Sequence, residues 1–435
     1  MFRALTFALL FSAAALAQQP ARALSLDEAV KLSLDRNPDL RKQILTALSS
    51  EQDKVLARQF ILPSLTFNAS YQDTRQGGGI TIIQNTEFPQ PTQVFHSWSG
   101  SLRLTQLIFD GGKWWNNLEA ADLGLAANRA LVDEQRLQII YLVEQRFYEL
   151  VRAKRQLLVL SDAAQRSRDQ ADFTQRLFEG GRGTQADVYA ARANRDNDEV
   201  LRLGQERAVE LARADLALAI GIDPSEPLTV AEPPRLMDDP AQPPPAQDAV
   251  ARALENRPSL KAASLTVESN RKSASAAKGD YWPSISLGAG YSRSARDFST
   301  MVSDPTQNST LFGAVNLTWN AFSGFATDAN VRKAEIQALI SENDLANGRR
   351  NVASDVEKAV AQLATARSQA RVAVQAEQNA QDGLRLARTR QEVGVGTQLE
   401  VRDAELKLTQ AQLSRVGALV DGREAEAALR RAQGG

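Results

Sequence analysis

Polar and apolar residues alternate in four short segments of the chain. In the first segment, Leu65, Phe67 and Tyr71 alternate with Thr66 and Ser70. A period of two is typical of a β-strand that buries only one of its faces. The sequence therefore predicts four strands, at about residues 65–72, 98–109, 284–292 and 312–322.

These strands are predicted to form two hairpins with long polar tips. The first tip runs from Gln72 to His96, and the second runs from Ser292 to Thr310. An open sheet of four strands would expose its edges, and the smallest membrane-spanning barrels use about eight strands. Two arrangements fit this pattern. Either several copies of the chain share one barrel, or a small sheet packs its apolar face on the helices.

A very long helix is predicted after each hairpin. Sequence rich in Ala, Leu, Gln, Glu and Arg runs without proline from Asp110 to about Leu177, and again from Ser323 to about Thr389. At about 1.5 Å per residue, roughly 65 helical residues span about 100 Å. Helices of globular proteins are usually shorter than about 25 residues, so the pattern indicates a coiled-coil-like assembly.

Shorter helices are predicted on either side of these rods. Ser25 and Glu28 fit a capping box, and Asn37 with Pro38 fits the start of a second helix. A return helix of roughly 36 residues follows the first rod and stops at Gly221, as helices often do at glycine. The return helix and the helix that opens a unit are together nearly as long as one rod. Two such helices stacked end to end can therefore lie alongside one long helix.

The sequence repeats itself with an offset of 220 and then of 213 positions. Asn37-Pro38 aligns with Arg257-Pro258, and Gly183-Thr184 aligns with Gly396-Thr397. Repetition at this period indicates two copies of one supersecondary unit. The predicted domains are a first repeat at 24–222, a proline-rich connector at 223–246 and a second repeat at 247–435.

The N-terminal residues 1–23 are predicted to be a secretory signal peptide. Arg3 precedes an apolar stretch from Leu5 to Leu16, and Ala21-Arg22-Ala23 fits a cleavage site. Cleavage of this segment would remove Arg3 and Arg22 and change the formal net charge from −1 to −3. A charge so close to neutral gives no electrostatic reason to expect nucleic-acid binding. The chain has no cysteine, which excludes disulfides, cysteine metal ligands and an N-terminal lipid-bearing cysteine.

Several short motifs, in duplicate and in order, resemble those of the TolC-type outer-membrane factor family. The resemblance covers the whole predicted mature chain. The motifs are Leu26-Asp27-Glu28-Ala29-Val30 with Asn37-Pro38, the strand starts Leu62-Pro63-Ser64-Leu65 and Trp282-Pro283-Ser284-Ile285, the strand end Leu107-Ile108-Phe109-Asp110-Gly111-Gly112, and the Gly-x-Gly-Thr turns before residues 185 and 398.

The resemblance implies a mainly α fold with membrane β-structure. A duplicated unit of long coiled-coil-like helices and two β-hairpins would assemble as a trimer. Twelve strands would form a β-barrel in the outer membrane of the Gram-negative cell envelope, continued across the periplasm by an α-helical barrel. The expected partners are a periplasmic adaptor and an inner-membrane transporter, and the expected function is a passive exit duct for efflux or type I secretion.

The resemblance also implies a ring of carboxylates where the tunnel narrows at the helical hairpin tips. Glu400 and Asp403 are three residues apart and hence lie on one helix face, and such rings favour cations. A capping interpretation competes with this role, because Glu400 and Asp187 each follow a threonine by three residues. Family members with a well-described gate have an arginine where this chain has Gln398.

Two further groups of candidate residues follow from the resemblance. The hairpin turns are expected to dock the adaptor, although they also fit ordinary tight helix connections; their residues are Gly181, Gly183, Thr184, Gly394, Gly396 and Thr397. Aromatic residues are expected either in belts at the membrane interfaces or in plain strand packing; they are Tyr71, Trp98, Tyr291 and Trp319.

No catalytic, cofactor or metal site is predicted. His96 is the only histidine and lies in a polar hairpin tip, and the sequence contains no hydrolase, metalloprotease or phosphate-binding motif. The alternative to an exit duct is a soluble periplasmic coiled-coil scaffold or adaptor, whose strands form a small internal sheet.

Overall fold

The computed structural model describes residues 23–83, 86–234, 236–303 and 306–435. Apart from Ala23, the predicted signal peptide lies outside the described residues. The chain divides into two compact units. The helical unit comprises Met1–Arg41, Gln135–Arg257 and Val352–Gly435, and the sheet unit comprises Lys42–Glu134 and Pro258–Asn351.

The described residues contain nine α-helices. The two longest have 67 residues each, and the helices that follow them have 36 residues each. The helices are α1 (Leu26–Arg36), α2 (Pro38–Arg58), α3 (Lys113–Glu179), α4 (Gln185–Ile220), α5 (Ala246–Asn256), α6 (Pro258–Lys278), α7 (Phe298–Ser303), α8 (Ala326–Glu392) and α9 (Gln398–Gln433). The predicted long helices and return helices are thus confirmed.

The strands of the sheet unit form one four-stranded antiparallel sheet in the order β1-β4-β5-β6, and a separate two-stranded ribbon of β2 and β3. The strands are β1 (Ser64–Gln76), β2 (Gly79–Ile83), β3 (Thr86–Gln90), β4 (Gln93–Phe109), β5 (Ser284–Ala295) and β6 (Ser309–Thr318). All four predicted strands are present in this sheet.

The prediction of a loop from Gln72 to His96 is wrong. Strands β1 and β4 continue through it in register, and β2 and β3 lie between them. The extension of β1 from Gln72 to Gln76 is wholly polar, so it has no apolar period of two to reveal it. The predicted tip from Ser292 to Thr310 likewise contains α7.

The last predicted strand, at about 312–322, is shifted. The structure places it at Ser309–Thr318, paired with β5 from Ser284 onward. Pro283 precedes that partner and has no N–H to donate to a longer ladder. The ladder therefore ends at Thr318.

Side-chain hydrogen bonds cap the helix starts, and those at Ser25 and Asn37 are the ones that the sequence predicts. Ser25 and Glu28 form a complete capping box. The Asn37 side chain accepts hydrogen bonds from the backbone N–H groups of the next turn. Asp110 accepts from the Trp114 N–H at 2.9 Å, and Ser323 Oγ accepts from the Thr327 N–H at 3.2 Å. Each cap satisfies donors that a helix N-terminus leaves unpaired.

The core of the helical unit is a set of narrow apolar seams. On α8 the buried residues are spaced alternately by four and three positions, which is the heptad spacing of a coiled coil; they are Val352, Val356, Ala359, Leu363, Ala366, Ala370 and Ala373. No helix among the described residues has a stretch long and apolar enough to cross a membrane.

The end of α4 packs closely on the junction between α1 and α2. The Asn37 side chain donates to the Ala219 carbonyl at 3.1 Å. Gly221 ends α4 with φ of 84°, and a Cβ there would lie 2.9 Å from the Arg36 carbonyl oxygen. This position therefore requires glycine for both its backbone conformation and its space.

We expect Gly221→Ala and Gly204→Ala to change stability in opposite directions. Gly221→Ala should lower the free energy of unfolding by about 1–2 kcal/mol or more, because alanine is strained at positive φ and its Cβ meets backbone. Gly204 lies within α4 with open space around its Cβ position. Gly204→Ala should therefore raise stability by up to about 1 kcal/mol.

The measurement is the apparent midpoint of thermal unfolding by far-UV circular dichroism, for both variants and the wild type in the same detergent. Equal shifts of the same sign in the two variants would contradict this account of Gly221.

Candidate functional site

The two helical hairpins end in turns with the same backbone hydrogen bonding. The Arg182 N–H donates to the Leu177 carbonyl at 2.8 Å, and the Val395 N–H donates to the Arg390 carbonyl at 3.0 Å. In the second turn, Gly394 has φ of 82°, and a Cβ on Gly396 would lie 2.8 Å from a backbone nitrogen. The two glycines are thus needed for different reasons, one for conformation and one for close approach.

The first turn has equivalent geometry. Gly181 has φ of 73°, and a Cβ on Gly183 would lie 3.2 Å from the Phe178 nitrogen. Thr184 and Thr397 are the N-caps of the helices that follow the two turns. The predicted docking residues therefore all lie in the two turns, which belong to the helical unit.

Asp187 takes part in a capping box with Thr184. The Thr184 hydroxyl accepts from the Asp187 N–H, and the Asp187 carboxylate accepts from the Thr184 N–H at 3.2 Å and hydroxyl at 2.6 Å. These hydrogen bonds, the hydroxyl first, lower the pKa of Asp187 below its ordinary value. The carboxylate therefore has the local role that the capping interpretation predicts.

Glu400 and Asp403 are on the first turns of α9, and each lies beside a cationic side chain. Thr397 caps the Glu400 N–H, but the Glu400 carboxylate lies 3.5 Å from Arg390 Nε rather than completing a capping box. The Asp403 carboxylate lies 2.6 Å from Lys407 Nζ. All four side chains are solvent-exposed, and exposed ion pairs contribute little stability.

The start of α9 is tied to both helices of the other hairpin. Gln398 Nε2 donates to Thr174 Oγ1 on α3 at 3.0 Å. Arg402 donates two hydrogen bonds, at 2.7 and 2.9 Å, to the carboxylate of Asp198 on α4. The carboxylate of Asp198 raises the pKa of Arg402 through these hydrogen bonds. Both partners are largely buried, so their geometry is fixed by the packing of the two hairpins.

Sequence reasoning missed two features of the tips. The first is the Asp198–Arg402 pair, whose members are 204 positions apart, so no local pattern indicates it. The second is an exposed apolar group on the second tip, formed by Val393, Val395 and Leu399. Apolar residues in an otherwise polar turn are the signal that could have identified this group.

The aromatic candidates lie in the sheet unit. The ring centroids of Tyr71 and Trp98 are 4.6 Å apart, and Tyr291 pairs with Leu102 on the same face. Trp319 follows the end of β6, and its Nε1 donates to the Tyr281 carbonyl at 3.2 Å. Tyr71 and Trp98 therefore lie near one end of the sheet and Trp319 lies at the other, with Tyr291 in a row between them. No group of acidic, histidine or cysteine side chains in the described chain could hold a metal ion.

Both halves of the chain match known proteins. A family model described as outer membrane efflux protein matches residues 29–222 and 249–435. Protein CyaE of Bordetella pertussis is 23% identical over 361 residues, which cover 79% of this chain and 70% of CyaE. Outer membrane efflux protein BepC of Brucella suis is 24% identical over 432 residues, which cover 98% of this chain and 89% of BepC.

The same likeness appears among solved structures. The outer membrane protein VceC of Vibrio cholerae superimposes with a TM-score of 0.78 at 19% identity, covering 94% of this chain and 96% of VceC. The fold described above is therefore that of VceC.

We expect Asp198→Asn to destabilise the protein far more than Asp403→Asn. The first change leaves the Arg402 charge buried without a counter-charge, which typically costs about 3 kcal/mol or more. The second change removes an exposed partner of Lys407, which costs less than about 1 kcal/mol. The readout is the apparent midpoint of thermal unfolding in detergent, and similar shifts for the two variants would contradict the importance of the buried pair.

Proposed function

The chain belongs to the outer membrane efflux protein family, and on that premise we propose that it is the outer-membrane exit duct of a tripartite efflux pump or a type I secretion system. The duct is a passive conduit from the periplasm and the inner-membrane transporter to the exterior. The observation that carries this proposal is the four-stranded sheet, whose exposed apolar residues and unpaired edges support pairing with further copies of the chain.

The edges of the sheet support a trimer. Strands β1 and β6 each have a neighbour on one side only within the described chain. Four strands are too few to close a barrel. Three copies would supply twelve strands, with β6 of one copy pairing with β1 of the next and no edge left exposed.

The apolar face of the sheet supports insertion in a membrane. Phe67 is 70% exposed and Leu311 is 81% exposed on this face. The aromatic levels near Trp319 and Trp98 are separated by the length of β5, from Ser284 to Ala295. At about 3.3 Å per residue this is about 36 Å along the strand, and a tilt of about 40° reduces it to about 28 Å across the membrane, close to the roughly 25 Å apolar band of outer-membrane barrels.

The helix lengths support two copies of one unit within the chain. Helices of 11, 21, 67 and 36 residues occur in this order in each half, and only the second half has a short helix, α7, between the second and third of them. In the proposed trimer these helices continue the β-barrel as a periplasmic α-helical barrel. Residues 1–23 are the proposed signal peptide, 24–222 and 247–435 the repeats, and 223–246 the connector.

The hairpin tips are the proposed meeting point with a periplasmic adaptor. The matched glycine turns give a compact backbone, and the exposed Val393, Val395 and Leu399 offer apolar contact. Glu400 and Asp403 of three copies are the proposed carboxylates of the aperture. Asp187 is the weaker candidate, because its carboxylate caps its own helix.

The family and the fold are those of channel proteins, and we assign no catalytic role to the chain. They favour the duct over the soluble scaffold that the sequence left open. A scaffold would have to bury the apolar face of the sheet within the protein, whereas Phe67 and Leu311 are exposed.

The test is single-channel recording of the purified mature protein in a planar bilayer. We expect the wild type to conduct with a weak preference for cations. The double variant Glu400→Gln, Asp403→Asn should shift this preference toward anions, because it leaves Arg390 and Lys407 at the tip without their partners. The comparison variant is Asp187→Asn, which removes one negative charge while the amide oxygen still accepts from the Thr184 N–H, and an unchanged preference would remove Asp187 from the proposed aperture.

The recordings test the duct and the carboxylate aperture separately. Channels whose ion preference is the same in the double variant would keep the duct and reject the carboxylate aperture. Folded protein that never forms channels would reject the duct itself.

A further inference from the structure

Arg103 is the only ionisable side chain on the polar face of the four-stranded sheet, whose strands are all described. This face is set by the cross-strand register, in which Asn68, Ser101, Ser292 and Thr310 form one row. Arg103 lies in the adjacent row. The other ionisable side chains of these strands, apart from tyrosine, lie on the opposite face; they are Asp73, Arg75, His96 and Arg293.

The Arg103 side chain is held against an aromatic ring. Its Cζ lies 5.5 Å from the ring centroid of Phe312, a distance at which a guanidinium and an aromatic ring attract each other. Arg103 and Phe312 come from β4 and β6, and Gly290 of β5 lies between them in the same row.

Gly290 makes this contact possible. A Cβ at Gly290 would lie 2.5 Å from Phe312 Cε1 and 2.6 Å from Cζ, so the ring occupies the space that any other residue would fill. The ring therefore crosses β5 to reach the guanidinium. The arrangement uses one residue from each of three strands, and it positions the arginine rather than burying it.

Arg103 has no carboxylate partner among the described residues. Its side chain is exposed, and none of the ion pairs of the described chain includes it. The arginines of the helical unit differ in this respect, as Arg152, Arg402 and Arg415 each contact a carboxylate within 2.8 Å. The polar face of the sheet therefore presents a fixed positive charge in an otherwise neutral surface of Ser, Thr, Asn and Gln.

We infer that Arg103 forms a cationic collar inside the barrel that attracts anionic solutes in transit, such as those bearing carboxylate or phosphate groups. The inference rests on the proposed trimeric barrel, in which the apolar face meets lipid and the polar face encloses the lumen. Three copies place three guanidinium groups at one level. Guanidinium groups match oxyanions geometrically, and rings of arginine favour anions in pores.

The first experiment compares the ion preference of the wild type with that of Arg103→Gln by reversal potential in a KCl gradient. At about 0.01 M salt, where the screening length is about 30 Å, the ratio of chloride to potassium permeability should fall by about twofold or more in the variant. At about 1 M salt, where the screening length is about 3 Å, the difference should vanish.

The matched control is Arg75→Gln, which removes the same charge from the opposite face of the sheet. It should leave the chloride to potassium ratio at the wild-type value.

The second experiment uses the absence of native cysteine. Arg103→Cys is reconstituted and then treated with membrane-impermeant thiol reagents that add either a positive or a negative charge. The positive reagent should restore the preference of the wild type, and the negative reagent should shift it further toward potassium. Leu102→Cys, one residue away on the apolar face, should not respond to either reagent.

The outcomes distinguish the collar from the duct. Wild-type channels whose preference is unaffected by Arg103→Gln and by both modifications of Arg103→Cys would overturn the collar and leave the duct intact. The thiol experiment is an independent test, because the charge is added after insertion and the same inserted protein is compared before and after modification. Absence of channels from every form, including the wild type, would overturn the duct and the collar with it.

Discussion

The backbone groups along the outer edges of β1 and β6 find no partner strand in the described chain, and the sheet that they bound exposes large apolar side chains on one face, among them Phe67 and Leu311. Water could form hydrogen bonds with the backbone groups of the edges, but it would leave the apolar side chains of the face exposed to water. Lipid could cover the apolar face, but it would leave the backbone groups of the edges without hydrogen bonds. Only a closed arrangement satisfies both. The proposed barrel follows from this constraint, since neighbouring copies pair the edges while the apolar face turns to lipid. In the proposed barrel, the polar face that carries Arg103 lines the lumen.

The long helices of the helical unit are likewise constrained by which part of their surface is buried. On α8 the buried seam is only one heptad stripe wide and is built largely from alanine, as at Ala359, Ala366 and Ala370. Alanine lets helices approach closely and leaves the rest of each helix surface polar. Such helices suit a wall with water on both sides.

The sequence predicted the features that depend on local interactions. Caps such as Ser25 and Asn37, the helix lengths and the glycine turns are all determined by residues within one or two turns of helix, and the structure has them. The extension of β1 past Gln72 was not predicted, because its pairing depends on the register with β4 and not on an apolar period. The Asp198–Arg402 pair and the contact of Phe312 with Arg103 join distant segments. They become visible only when the packing of the hairpins and the strand order are known.

The difference between local features and contacts of distant segments matters most for the charged residues. The sequence indicates Glu400 and Asp403 because two carboxylates lie near a turn, yet each lies beside a cation of its own chain, so the charge of each carboxylate is partly compensated. No pattern in the sequence indicates Arg103, since it is a single arginine in an alternating strand. It has no neighbouring carboxylate, and a fixed charge in a water-filled conduit acts on passing ions to the extent that it is uncompensated. The ion preference of the proposed duct therefore depends on the partly compensated carboxylates at the tips and on the unpaired Arg103 together, and a count of acidic and basic residues cannot reveal it.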